Sequence, residues 1–142
     1  MPKLSVIIVS WNVRQLLHDC LASLAKAENN LEIIVVDNHS NDDTAAMVRR
    51  DFPNVILIES GDNLGFAAAN NLGIKKATAD FLMLLNPDTI VPAGSLTTMI
   101  DYLQTHPEVG LIGPQILNPN GTTQASVRGN PTGWNQLFVL LK

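Results

Sequence analysis

The chain has 142 residues, 46% of them hydrophobic and 15% charged, which fits one globular domain with a core and argues against disorder. The net charge of −4, from 9 Lys and Arg against 13 Asp and Glu, leaves no basic footprint for nucleic acid. A single cysteine, Cys20, excludes a disulfide framework and a cysteine-rich zinc site, and no apolar run approaches the ~20 residues of a membrane span.

The first apolar run, Val6 to Val9, is continuous and rich in β-branched residues. That is the pattern of a strand buried on both faces, hence of a parallel sheet. Polar residues follow it and no small-residue cleavage site appears, so the amino terminus does not read as a signal peptide. Leu16, Leu17, Cys20, Leu21 and Leu24 then recur at helical spacing. Ile33 to Val36 is a second strand. Asp43 to Arg50 is a short helix with acids first and Arg49-Arg50 last, which suits the helix dipole, and Pro53 ends it. Val55 to Ile58 is a third strand, and Phe66 to Ala77 an alanine-rich helix suited to close packing. Phe81 to Leu85 is a fourth strand, expected to be buried on both faces like the others. Pro92 to Thr105 carries Leu96, Met99, Ile100 and Leu103 on one helical face. Val109 to Ile112 is expected to form a fifth strand. Asn118 to Gly133 reads as a loop or hairpin turning at Asn120-Gly121. Leu137 to Leu141 opens an apolar segment that the chain does not finish. The alternation predicts a doubly wound α/β domain with right-handed crossovers.

Asparagine is abundant, 14 of 142 residues, and gathers where apolar runs end. In open α/β sheets ligands bind beyond the carboxyl ends of the strands. The four ends read Ser10-Trp11-Asn12, Asp37-Asn38-His39-Ser40, Glu59 through Gly65, and Asn86-Pro87-Asp88-Thr89. Any one of these is explained by turns and helix caps. All four together point to one site. A dinucleotide fold needs a glycine turn after strand one, and none is present. A Walker loop and a nucleophile elbow are also missing.

The remaining residues suggest a nucleoside diphosphate. Trp11 either stacks a base or packs in the core. Asp37 accepts from a ring N–H, which uracil and thymine carry at N3 and cytosine lacks. Asp88, with Asn86 on the same side of an extended segment, holds Mg²⁺ or Mn²⁺ on the diphosphate. His18 and His106 read as solvated or capping residues, His39 as a loop residue, and Cys20 as a core residue.

The stretches LSVIIVSWN (from Leu4), EIIVVDNHS (from Glu32), NLGFAAANNLGI (from Asn63) and LNPDTIV (from Leu85) together resemble the family 2 glycosyltransferases. Their rhamnosyltransferase-type branch, of bacterial surface polysaccharide assembly, is the most similar. The resemblance implies a GT-A fold with a Rossmann-like, mostly parallel sheet, a divalent metal (Mg or Mn), and inversion at the anomeric carbon. It implies a UDP- or dTDP-sugar donor and a saccharide or lipid-linked acceptor. Carried over, Ser10, Trp11 and Asn12 form the first nucleotide-binding turn, and Asp37 binds the base with Asn38 beside it. Asn63, Gly65 and Asn70 line the nucleotide and sugar. Asn86-Pro87-Asp88 stands for the family's Asp-x-Asp motif, with Asn86 replacing the first acid and Asp88 left for the metal. Ser126, Val127, Arg128, Pro131 and Thr132 resemble the loop that follows.

Family members are roughly twice as long, and their general base comes from the second half. Only Asp101 and Glu108 follow Asp88, both poorly placed, so the catalytic base is unknown. The expected organisation is therefore a donor-binding α/β domain over residues 1–117, with 118–142 beginning an incomplete acceptor side. The expected location is the cytoplasm, at the inner face of the membrane, with the apolar tail covered by a partner or a homodimer. A non-catalytic nucleotide-sugar binding module is the alternative. A nucleotidyltransferase is a third reading, but it wants a basic glycine-rich loop after strand one.

Overall fold

The computed structural model describes residues 3–28 and 30–124. They fall into two compact units, divided between His106 and Pro107. The first unit alternates strand and helix: β1 (Leu4–Ser10), α1 (Arg14–Ala27), β2 (Leu31–Asp37), α2 (Thr44–Asp51), β3 (Ile56–Glu59), α3 (Gly65–Ile74), β4 (Phe81–Leu85) and α4 (Ser95–Thr105). The sheet order is β3-β2-β1-β4 and every pair is parallel. All carboxyl ends therefore share one edge. Ser10 lies opposite Asp37, Asp37 opposite Glu59, and Ile8 opposite Leu85.

Alternation along each strand divides the core in two. Leu4, Val6 and Ile8 face one way, with Val35 and Leu85, and are covered by Leu17, Cys20, Leu21 and Leu24 of α1, Met47 and Val48 of α2, and Leu96 of α4. Val9 and Val36 face the other way and meet Ala69 of α3. The connections explain this split. Crossovers through α1 and α2 step the chain from β1 to β3 in one direction. The crossover through α3 returns past β1 to β4, and constant handedness puts its helix on the opposite face. The direction of winding reverses between β1 and β4. Gly73 lets α3 approach closely, because a Cβ there would lie 2.4 Å from Ile7 Cγ2.

Three sequence expectations are corrected. Neither edge strand is buried on both faces: β3 has no buried residue, with Ile56 40% exposed, and β4 is half open. It pairs with β1 alone, and Leu82 and Leu84 are 50% and 51% exposed, because α3 packs over β1 and β2. Residues 109–112 form no strand. A strand takes its hydrogen bonds from a neighbour, Gly110 and Gly113 interrupt this run, and Leu111 is exposed. Residues 86–89 are not extended but form a tight turn, with Thr89 N–H donating to Asn86 O at 3.3 Å. Pro87 presets the second turn position.

The second unit contains the expected turn at Asn120-Gly121. Leu117 and Thr123 bridge antiparallel, and Asn118 N–H donates to Thr122 O at 2.8 Å. The loop from Ser126 to Thr132 and the apolar segment from Leu137 lie outside the described residues. Among the described residues no helix is long and apolar enough to cross a membrane.

Candidate functional site

The crevice at a reversal of winding is where open α/β sheets take ligands. Here it lies between the carboxyl ends of β1 and β4, flanked by β2. Trp11, the first residue past β1, is 54% exposed, which excludes the core reading of this side chain. Ser10 just before it is fully buried, and its Oγ is a buried polar atom with no hydrogen-bond partner. Asp37 ends β2 at 4% exposure, with one long side-chain bond, from Ser40 N–H to Oδ1 at 3.3 Å.

The loops around these groups are bonded to one another. Asn12 adopts φ 54°. Its N–H donates to Ser40 Oγ at 3.0 Å, and its Oδ1 accepts from Asn41 N–H at 2.8 Å. Asp42 caps two helices. Its Oδ2 accepts from Arg14 N–H at 2.9 Å, and its Oδ1 from Thr44 N–H and Oγ1 at 3.2 and 2.5 Å. Burial pushes the Asp42 carboxyl up, but these bonds outweigh it and hold the group below its ordinary value. Asn38 is buried and bonded to Asn63 and Leu64.

The β4–α4 loop is held from below by α1. Cys20 Sγ donates to Asn86 O at 3.8 Å, and Val91 N–H donates to Ser23 Oγ at 3.0 Å. Burial, with Asp88 nearby, pushes the Cys20 thiol up to about 11, against a lowering bond from the Thr89 backbone. Asp88 itself is exposed and makes no hydrogen bond or ion pair. Asn86 is exposed at the start of the same turn.

The sequence-predicted residues thus divide. Ser10, Trp11, Asp37, Asn86 and Asp88 retain unengaged groups at the carboxyl edge. Asn12, Asn38 and Asn63 are tied into loop structure. Gly65 takes φ +74°, and an added Cβ would meet nothing within 4 Å, so the backbone angle is what requires glycine. Asn70 is 4% exposed within α3, with Nδ2 donating to Phe66 O at 2.9 Å. Cys20 is the core residue that the sequence predicts, and sequence reasoning missed Asp42 and Ser23. The one available signal was Asp42 two residues before the helical Thr44, a capping pattern.

The family model for glycosyl transferase family 2 matches residues 5–140. The chain belongs to family 2 of the glycosyltransferases. It is 32% identical over 141 residues to the N-acetylglucosaminyl-diphospho-decaprenol L-rhamnosyltransferase of Mycobacterium tuberculosis, covering 91% of this chain and 46% of that protein. It is 31% identical over 120 residues to the poly-beta-1,6-N-acetyl-D-glucosamine synthase of Staphylococcus aureus, covering 81% and 29%. Among solved structures, S. aureus TarS 1-349 superposes with a TM-score of 0.66 at 26% identity, covering 73% of this chain and 33% of that one. Mannosyltransferase PcManGT from Pyrobaculum calidifontis, in complex with GDP-Man and Mn²⁺, gives 0.66 at 28%, covering 72% and 32%. The fold is thus that of the GT-A enzymes expected from the sequence. The chain spans less than half the length of these relatives.

Proposed function

We propose that this family 2 chain supplies the donor site for inverting sugar transfer from a uridine or thymidine diphospho-sugar to a saccharide or lipid-linked acceptor. In that reading residues 1–117 hold the donor, and 118–142 begin the acceptor side. One observation carries it. The edge of the sheet where winding reverses keeps its apolar ring exposed and two carboxylates without adequate protein partners. Trp11 stacks the base, and Asp37 accepts a ring N–H. Asp88, with Asn86 beside it, is the carboxylate for a divalent cation. No cluster of three or more ligating side chains exists among the described residues. One unpaired carboxylate fits a hard cation that completes its shell with water and ligand phosphates. When bound, Mg²⁺ or Mn²⁺ offsets charge on the departing diphosphate. In the transfer, the acceptor oxygen bonds to the anomeric carbon, the bond from that carbon to the diphosphate breaks, and a base takes the hydroxyl proton. No residue of this chain is assigned as that base.

The relative whose structure holds GDP-Man and Mn²⁺ gives the test its comparison arms. Thermal unfolding is followed with UDP, dTDP, GDP and CDP, each with and without Mn²⁺. UDP or dTDP with metal is expected to stabilise by about 2.7 kcal/mol at a hundred times Kd. Stabilisation by CDP equal to that by UDP would overturn the role of Asp37. No shift with any nucleotide at millimolar concentration would overturn the donor site itself.

A further inference from the structure

Asn38 follows β2 directly and is 3% exposed. Its Nδ2 donates to Asn63 Oδ1 at 2.8 Å, and its Oδ1 accepts from Leu64 N–H at 2.9 Å. Asn63 Oδ1 accepts a second hydrogen, from Gly65 N–H at 3.0 Å. The backbone forces the orientation of both amides. A peptide N–H can only donate. Leu64 therefore requires the oxygen of Asn38, and Gly65 requires the oxygen of Asn63. Asn38 is left presenting its NH₂ to Asn63, which gives every bond one donor and one acceptor. Ser60 N–H meanwhile donates to Asp37 O at 3.1 Å, tying the same loop to the end of β2.

We infer that Asn38 is a positioning residue, acting through Asn63 to fix residues 60–65 and the start of α3 against Asp37. Its amide is turned to the loop and not to the donor. The functional half of this inference rests on the donor site proposed above. The latch is chemically asymmetric. Asn63→Asp keeps an acceptor for both N–H groups that reach it. Asn38→Asp replaces the amide donor of the Asn38–Asn63 bond with an oxygen facing an oxygen, while Ser60 Oγ, which donates to Asn38 Oδ1 at 3.4 Å, is unchanged. Both substitutions add one negative charge, but position 38 is buried beside Asp37 and position 63 is exposed, so the neutral Asn38→Ala, which removes the bonds without adding a charge, separates the lost latch from the cost of a buried carboxylate.

The test compares wild type, Asn38→Asp, Asn63→Asp and Asn38→Ala by thermal unfolding and by titration with UDP and dTDP in Mn²⁺. At neutral pH Asn38→Asp is expected to lower Tm by about 5 °C or more and to weaken nucleotide binding about tenfold. Asn63→Asp is expected to stay within about 2 °C of wild type. Toward about pH 5 the introduced carboxyl gains a proton and can donate to Asn63 Oδ1, so the Asn38→Asp deficit should shrink in both readouts. Asn38→Ala should keep its deficit at every pH. The neighbouring Asp37, His39 and Asp62 are common to all four proteins, so each pH is read against wild type. Should Asn38→Asp be unfolded at neutral pH, the deficit of Asn38→Ala against wild type reads the lost bonds without an added charge, and an Asn38→Ala protein as stable as wild type would overturn the latch. Equal losses in the two Asp variants, or a pH-independent deficit in Asn38→Asp, would overturn the latch. A wild type that binds neither nucleotide sinks the donor site and the functional half of this inference, while the order of Tm values still decides the latch.

Discussion

β1 carries a fully buried serine near each end, and the two have opposite fates. At the amino end, Ser5 donates to Glu32 and its Oγ accepts from Ala79 N–H at 3.1 Å. Glu32 in turn accepts from Thr78 N–H at 2.8 Å and Thr78 Oγ1 at 2.7 Å. Ser5, Glu32 and Thr78 thus satisfy one another. At the carboxyl end, Ser10 Oγ has none, Asp37 has one long bond, and Asp88 has none. Left-handed backbone follows the same division. Of the four non-glycine residues with positive φ among the described residues, Asn12, His39 and Asp43 lie in loops at the carboxyl edge, and Asn30 precedes a strand. A buried polar group without a partner and a residue in strained backbone each cost about 1–3 kcal/mol, and they persist where surrounding structure holds them, whereas the exposed Asp88 carboxylate faces solvent. One end of the sheet is finished by the protein itself. The other is where the proposed donor would bind.

This contrast is broken most severely at Asp37. Asp37→Ala is expected to weaken UDP or dTDP binding about thirtyfold or more, the worth of a hydrogen bond to a charged group, while Tm stays at or above wild type. Calorimetric titration with Mn²⁺ checks it, and a fall in Tm with affinity intact would place Asp37 among the structural residues. The opposite pattern is expected at the closed end. Glu32→Ala leaves the buried Ser5 hydroxyl and Thr78 N–H without their acceptor, so urea unfolding should show a loss of about 2 kcal/mol. Nucleotide affinity should not change.

The sequence made the first contrast legible and hid the second. Continuous apolar runs mark the four strands, helical spacing marks α1 and α4, charge order marks α2, and alanine content marks α3. The four polar strand ends are brought to one edge because every strand is parallel. Residue type, however, does not say which neighbour a group will meet. Leu82 and Leu84 have the composition of a core strand yet lie at an edge that α3 does not cover. Val109 to Ile112 has strand composition and no partner. The resemblance implies donor contacts for Asn12, Asn38 and Asn70, but Asn12 locks two loops, Asn38 latches a third, and Asn70 bonds within its own helix. The acceptor for Arg14 N–H at the start of α1 sits 28 residues onward, at Asp42, a distance that no local pattern reveals. Serine posed the same problem, since Ser5 and Ser10 differ only in what the fold places beside them.

The closed end should also carry the acid sensitivity of the fold. Burial raises the Glu32 carboxyl, but bonds from Ser5 Oγ, Thr78 N–H and Thr78 Oγ1 outweigh it and hold the group below its ordinary 4.5. A carboxyl lowered in the folded state contributes stability above its unfolded value, and that contribution is lost as pH falls through the folded value. Glu32→Gln should therefore flatten the fall in urea stability from pH 5 downward. The difference from wild type is expected to be about 1 kcal/mol at neutral pH and to vanish in acid. Asp42 is lowered in the same way, by its bonds to Thr44 and Arg14, so a residual acid limb should persist in Glu32→Gln. A variant whose stability runs parallel to wild type at every pH would remove Glu32 from the acid response.

The smallest expected effect is the most direct comparison of the two ends, because it makes one chemical change twice on one strand. Ser5→Ala deletes a hydroxyl that both donates and accepts, and should cost about 1 kcal/mol or somewhat more. Ser10→Ala deletes a buried hydroxyl that bonds nothing, so its desolvation cost disappears with it. Stability should stay level or rise by a few tenths of a kcal/mol. With UDP or dTDP and Mn²⁺ present the order is expected to change. A ligand that uses Ser10 Oγ stabilises wild type more than Ser10→Ala, while Ser5→Ala keeps the full ligand increment. Urea unfolding of the three proteins with and without nucleotide reads both signs at once. A Ser10→Ala protein that loses stability without ligand would mean that its hydroxyl is already satisfied, and the carboxyl edge would then be as closed as the amino edge.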